Sequence, residues 1–115
     1  MARILCVDDD PAALSLKCQI LERAGHAATP CTTVEEAVGE LSASGYDAVV
    51  TDWRLGEESG RTIVEAAKLT SSTPVVVVSG FVSEAFQAAE PLADLYLDKP
   101  FDPQELVKII HTLLD

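Results

Sequence analysis

A chain of 115 residues fits one domain, and a hydrophobic content of 48% suffices for a single core. Eight Lys and Arg against nineteen Asp and Glu leave a formal net charge of −11, which argues against direct contact with nucleic acid or an anionic membrane surface, since both demand positive charge. The N-terminus runs into an apolar strand without the regions of a secretory leader, and no uninterrupted apolar stretch reaches membrane-spanning length; a cytoplasmic location and protein partners are therefore expected.

The first apolar run, Ile4-Leu5-Cys6-Val7, predicts a strand. Asp10-Pro11 then supplies a helix N-cap and a first-turn proline, and Leu14, Cys18 and Leu21 line one face of a helix over 11–24 that Gly25 ends. A short strand over 26–31 precedes Thr33-Val34-Glu35-Glu36, a capping-box pattern, with Val34, Ala37, Val38 and Leu41 as the apolar stripe of a helix ending near Gly45. A third strand over 47–51 leads to a polar loop, Arg54 to Gly60, and a weaker helix through Ile63 and Ala67 to about Leu69. Pro74 introduces Val75 to Val78, four β-branched residues without alternation, as a strand covered on both faces suits. A short helix over 83–89, broken by Pro91, and a strand at Leu95-Tyr96-Leu97 follow. Asp102-Pro103-Gln104-Glu105 starts the last helix, whose buried face is Leu106, Ile109, Ile110 and Leu113.

Three cysteines without a CxxC pair fit neither a disulfide framework nor a zinc site, and Cys6, Cys18 and Cys31 read as unpaired thiols. His26 and His111 stand far apart without metal-ligand spacing and read as separate surface residues.

Strands alternating with helices predict an α/β domain, a doubly wound parallel sheet of five strands with helices on both faces, because crossovers between parallel strands are right-handed. In such sheets the functional crevice lies beyond the carboxyl ends of the strands, where Asp8, Asp9, Asp52, Ser79 and Lys99 all fall. Three carboxylates in one pocket repel one another and need a cationic filling. A divalent ion with hard oxygen ligands, plus one lysine, is the simplest. Such a constellation handles a phosphoryl group.

Val7-Asp8-Asp9-Asp10, Asp52 after its apolar strand, Ser79-Gly80 after Val75 to Val78, and Lys99-Pro100-Phe101 together resemble the receiver domain of two-component response regulators. The resemblance spans the chain, 1–115, and implies a flavodoxin-like (βα)5 fold with strand order 2-1-3-4-5. It implies Asp52 as acceptor of a phosphoryl group from a phosphohistidine on a sensor histidine kinase or histidine phosphotransfer protein. Mg²⁺ would be held by Asp8, Asp9, Asp52 and the backbone carbonyl of Arg54, with Asp8 acting largely through water. Ser79 and Lys99 would contact the phosphoryl oxygens, Ser79 and Tyr96 would form the switch to a downstream protein target, and Lys99–Pro100 would be cis. Such a domain is a phosphoacceptor that assists its own phosphorylation and autodephosphorylation rather than an enzyme acting on a separate substrate. Arg54 and Phe81, two positions after Asp52 and Ser79, would flank the path of the hydrolytic water.

Gly56 replaces a proline usual in the family, Leu92-Ala93-Asp94 replaces a Gly-Ala pair, and the short interval from Ser79 to Lys99 weighs against the dimer surface common in the family. Three other readings compete. A haloacid-dehalogenase-like phosphatase would use Asp8 as nucleophile and Asp10 as acid-base group, but it leaves Asp52 without a role. A phosphorylation-independent adaptor on the receiver fold would not need the retained site residues. A flavodoxin-like cofactor module needs a Ser/Thr/Gly-rich phosphate cradle, where this chain has three aspartates.

Overall fold

Val75 to Val78 form the strand next to the centre of a five-stranded parallel sheet in the computed structural model, which describes residues 2–79 and 93–114. In chain order the elements are β1 (Arg3–Val7), α1 (Pro11–Arg23), β2 (Ala27–Cys31), α2 (Val34–Ala43) and β3 (Ala48–Asp52). After these come β4 (Arg54–Leu55), β5 (Glu58–Ser59), α3 (Gly60–Ser71), β6 (Val75–Ser79), β7 (Leu95–Asp98) and α4 (Pro103–Leu114). The sheet runs β2-β1-β3-β6-β7, every pairing parallel, which is the expected order 2-1-3-4-5 when the five long strands are counted alone. The helix placed over 83–89, with Phe81 and Pro91, lies outside the described residues.

Strand side chains alternate between two apolar layers, so both faces of the central strands are buried. Ile4, Cys6, Val50, Val76 and Val78 meet Leu14, Ile20, Leu21, Leu106 and Ile110 from α1 and α4. Leu5, Val7, Val49, Val75 and Val77 meet Val34, Leu41, Ile63 and Val64 from α2 and α3. This double cover is why the Val75–Val78 run shows no polar alternation.

Local signals act as their chemistry dictates. The Asp10 carboxylate caps α1 by accepting from the Ala12 N–H at 3.0 Å, with Pro11 in the first turn. Thr33 Oγ1 accepts from the Glu36 N–H, and Glu36 Oε1 accepts from the Thr32 N–H, one residue earlier than in the standard box. The Asp94 carboxylate accepts from the Val75 N–H at 2.8 Å and pairs with Lys68, pinning the start of β7 to β6 and α3.

Three sequence expectations need correction. Residues 54–59 are not a plain loop: Arg54 pairs with Ser59 and Leu55 with Glu58 across a two-residue turn, and Gly56 supplies the positive φ (+64°) such a turn needs. The buried face of α1 is Leu14, Lys17, Ile20 and Leu21, while Cys18 is only half-buried. His26 and His111 are not separate, because the fold brings their Nε2 atoms to 3.3 Å in an edge-on ring contact. The cysteines are unpaired thiols, as expected, and Lys99–Pro100 is cis.

Candidate functional site

The carboxyl ends of β1, β3, β6 and β7 bring four sequence-distant groups together. Asp8 follows β1, Asp52 ends β3, Ser79 ends β6, and Lys99 follows β7. Parallel pairing sets Asp52 opposite Val78, and Ser79 opposite Asp98, so Ser79 stands one residue beyond Asp52 along the neighbouring strand. Asp8, Asp52 and Ser79 are buried; Asp9 and Lys99 lie at the rim.

Lys99 Nζ donates to Asp52 Oδ2 at 3.0 Å. The other oxygen of Asp52 is also taken. Lys17 Nζ donates to Asp52 Oδ1 and to Asp8 Oδ2, both at 2.8 Å. The pocket therefore holds two lysines, not the single one expected: Lys99 reaches in from the solvent side, and Lys17 from beneath, off the packed face of α1 with 2% of its surface exposed. Its signal was present in the sequence, a lysine three residues after Leu14 and four before Leu21. Assigning that stripe to Cys18 concealed it.

The remaining acceptors are held by backbone. Asp8 Oδ1 accepts from the Asp10 N–H at 3.0 Å, and Asp9 Oδ2 accepts from the Gly56 N–H at 2.9 Å, which fastens the β4–β5 turn over the site. Below Asp52 the chain is equally tight. Gly60 lies so close that a Cβ there would meet the Asp52 carbonyl oxygen at 2.3 Å, and the Gly60 N–H donates to the Trp53 carbonyl. Only glycine allows that approach.

Burial is the largest influence on each buried charge, and the neighbours decide the net result. Burial pushes the Asp8 carboxyl up, but hydrogen bonds from Lys17 and the Asp10 N–H, with the Lys17 charge, hold it below the ordinary aspartate value. Burial would lower the Lys17 ammonium, yet the charges and hydrogen bonds of Asp52 and Asp8 hold it above the ordinary lysine value. Asp52 is held above the usual value, by burial first and by the adjacent Asp8, against the pull of Lys17. The two carboxylates thus favour the charged form of Lys17.

Carboxylate oxygens of Asp8, Asp9 and Asp52 lie within 4.8 Å of one another. Three hard oxygen donors at such spacing fit a divalent cation of the Mg²⁺ type. Arg54 is exposed at the start of the β4–β5 turn; Tyr96 is half-buried against the α2–α3 layer, its hydroxyl accepting from the Ala93 N–H at 3.1 Å. Asp10, the acid-base group of the phosphatase alternative, is exposed and occupied as the α1 cap.

Comparison with known proteins agrees with this geometry. A sequence model described as the response regulator receiver domain matches residues 4–111. The phosphate regulon transcriptional regulatory protein PhoB of Escherichia coli is 32% identical over 117 residues, covering 97% of this chain and 51% of that protein. The chain thus spans about half the length of the curated relatives it matches. Among solved structures, a CheY-like receiver domain from Methylobacillus flagellatus superposes with a TM-score of 0.87 at 31% identity, covering 98% of each chain. The response regulator TrrA of Thermotoga maritima, solved in complex with Mg(2+)-BeF, gives a TM-score of 0.90 at 25% identity, covering 99% of this chain and all of that one. No helix among the described residues is long and apolar enough to cross a membrane.

Proposed function

The chain belongs to the response regulator receiver domain family, and on that premise we propose that it accepts a phosphoryl group on Asp52 from a phosphohistidine of a sensor histidine kinase or histidine phosphotransfer protein. The observation that carries this reading is the Asp52 carboxylate, buried at a strand end with Lys99 Nζ 3.0 Å from one oxygen and two further carboxylates beside it.

In the reaction the P–O bond to Asp52 forms as the P–N bond of the phosphohistidine breaks, and the electron pair of that bond stays on the imidazole. Two anions must meet, so the barrier is largely electrostatic. Lys99 meets that demand with a full positive charge at the rim, placed to follow the phosphoryl oxygens once Asp52 is esterified. Ser79, at the end of the adjacent strand, contributes a hydroxyl donor. Asp8, Asp9 and Asp52, with the Arg54 carbonyl, would hold Mg²⁺, which when bound neutralises charge on the phosphoryl oxygens. Gly60 and the β4–β5 turn keep Asp52 and Asp9 in place during the transfer.

Ser79 and Tyr96 form the proposed output. A phosphoryl group would draw the Ser79 hydroxyl toward Asp52 and let Tyr96 repack into the space behind it, biasing a two-state element read by a downstream protein. Beryllofluoride should then move amide signals along β6 and β7 in wild type and far less in Ser79→Ala; shifts confined to residues 52–56 would refute the switch. A location in the cytoplasm, where such phosphodonors act, belongs to the same reading.

The test of phosphoacceptance is direct. Intact-mass measurement after incubation with acetyl phosphate and Mg²⁺ should show one added phosphate on wild type and none on Asp52→Asn, with peptide mapping to exclude rerouting to Asp8 or Asp9. A second reading, a phosphorylation-independent adaptor, draws support from Lys17, which already offsets part of the pocket's negative charge. Absence of any phosphate on wild type would favour it.

A further inference from the structure

Lys17 belongs to none of the roles above, and its placement has its own chemistry. It lies on the apolar stripe of α1 between Leu14 and Ile20, yet its ammonium is the group that joins Asp8 to Asp52. A lysine buried in this way survives only if its charge is matched and its donors are used. Two contacts of 2.8 Å to carboxylate oxygens match the charge and use two of its three donors.

The oxygens it holds belong to two of the three carboxylates that would hold a metal. Asp52 Oδ2 faces Lys99 and Asp8 Oδ1 faces the Asp10 N–H, which leaves Asp52 Oδ1 and Asp8 Oδ2 as the pair turned toward a shared ligand. Lys17 has that pair. Mg²⁺ binds oxygen at roughly 2.0–2.1 Å and accepts little departure from octahedral geometry, and an ammonium 2.8 Å from both oxygens crowds and repels a dication placed against them. An ammonium on both oxygens therefore opposes the metal until further negative charge enters the pocket.

Charge balance sets the direction. Among the described residues three carboxylates face two ammoniums in the resting pocket, leaving one net negative charge. A dication added beside both lysines would turn that into one net positive charge. Esterifying Asp52 removes its own carboxylate charge but brings in a phosphoryl dianion, and then a dication and both lysines are matched. We propose that Lys17 is a built-in counter-cation that holds divalent metal out of the resting site and releases it to bind when a phosphoryl group arrives, so that metal and phosphoryl binding are coupled through one side chain of α1. The coupling rests on Asp52 being the phosphoacceptor; the exclusion of metal does not.

Titration of the whole protein with Mg²⁺ alone, read by Trp53 emission and by melting temperature, tests the exclusion. Wild type should bind weakly and melt almost independently of millimolar Mg²⁺. Lys17→Met, which keeps an unbranched apolar stem, should bind at least about ten-fold more tightly and gain clear thermal stability from the metal. Equal affinities in the two proteins would overturn the proposal. Should Lys17→Met and Lys17→Gln fail to fold, wild-type amide signals decide. At saturating Mg²⁺ the α1 residues from Leu14 to Ile20 must shift as the ammonium leaves, and shifts restricted to Asp8, Asp9 and residues 52–56 would refute displacement.

A second arm adds beryllofluoride, which should tighten Mg²⁺ binding to wild type much more than to Lys17→Met. Equal tightening in both would refute the coupling. Failure of beryllofluoride to act on either protein, with the difference in bare Mg²⁺ affinity intact, would instead count against Asp52 as phosphoacceptor.

Discussion

Helices α1 and α4 start alike and pack on the same side of the sheet, yet they serve the molecule differently. Each follows an Asp-Pro pair, Asp10-Pro11 and Asp102-Pro103, and each lays side chains into the layer containing Ile4, Val50 and Val76. In α4 the buried positions Leu106 and Ile110 are all apolar, with Ile109 and Leu113 at the margin. In α1 the equivalent stripe is interrupted by Lys17. A helix that obeys its apolar period throughout supplies cohesion; one that breaks it at a single buried site has a charge to deliver. The break is where α1 enters the chemistry.

That contrast can be broken or sharpened by substitution. The largest effect is expected from Lys17→Met in metal-free buffer. Leaving the buried Asp8 and Asp52 without their shared partner costs about 3–5 kcal/mol, in urea unfolding, and Mg²⁺ should recover much of it. Ile110→Ala on α4 should cost a comparable roughly 2–5 kcal/mol as a cavity, but with no recovery on adding Mg²⁺. If the metal rescued both variants alike, the two helices would not differ as argued. Asp10→Ala removes the α1 cap and should cost about 1 kcal/mol, or roughly 4 °C in melting temperature, without changing the Mg²⁺ titration, since the donor to Asp8 is the Asp10 backbone N–H. Loss of the Mg²⁺ response when Asp10→Ala is combined with Lys17→Met would place Asp10 in the site rather than at the helix end.

The smallest effect joins the two helices at their far ends. His26, just beyond α1, accepts from the Ala2 N–H through Nδ1 and meets His111 of α4 through Nε2. Burial, His111 and the N-terminal charge hold the His26 imidazole below its ordinary value. The folded state therefore binds this proton less readily than the unfolded chain, whose histidine titrates near about 6.5. Stability from this contact is complete above that pH and is lost as pH falls through it toward the folded value. Melting temperature should decline between about pH 7 and 5.5 more in wild type than in His26→Gln, and identical profiles would remove the pair from the pH response.

Local pattern made most of the fold legible. The β-branched run of β6, the caps Asp10 and Thr33, and the apolar periods of α2 and α4 each state their own geometry within a few residues. Asp8, Asp52, Ser79 and Lys99 were legible as candidates because strand ends in a parallel sheet converge whatever their sequence separation. Other features had no local signature. The histidine pair spans 85 positions, and nothing near either residue encodes the other. Lys17 did carry a signal, a charge on an apolar stripe, but a cysteine one residue on fitted the period equally well. Hydrophobic periodicity ranks the apolar choice first. The β4–β5 turn was hidden because its two strands are each two residues long, too short for alternation to register.

Gly60 has a mechanical consequence. Its backbone lies against the Asp52 carbonyl with no room for even a methyl group, while its N–H grips the Trp53 carbonyl, so the main chain immediately after Asp52 is clamped against the start of α3. An aspartate seated in that vice cannot recoil when its carboxylate gains or loses a group. Any force generated there leaves sideways, through the side chains that touch the carboxylate, and the strand itself stays still as a fixed fulcrum.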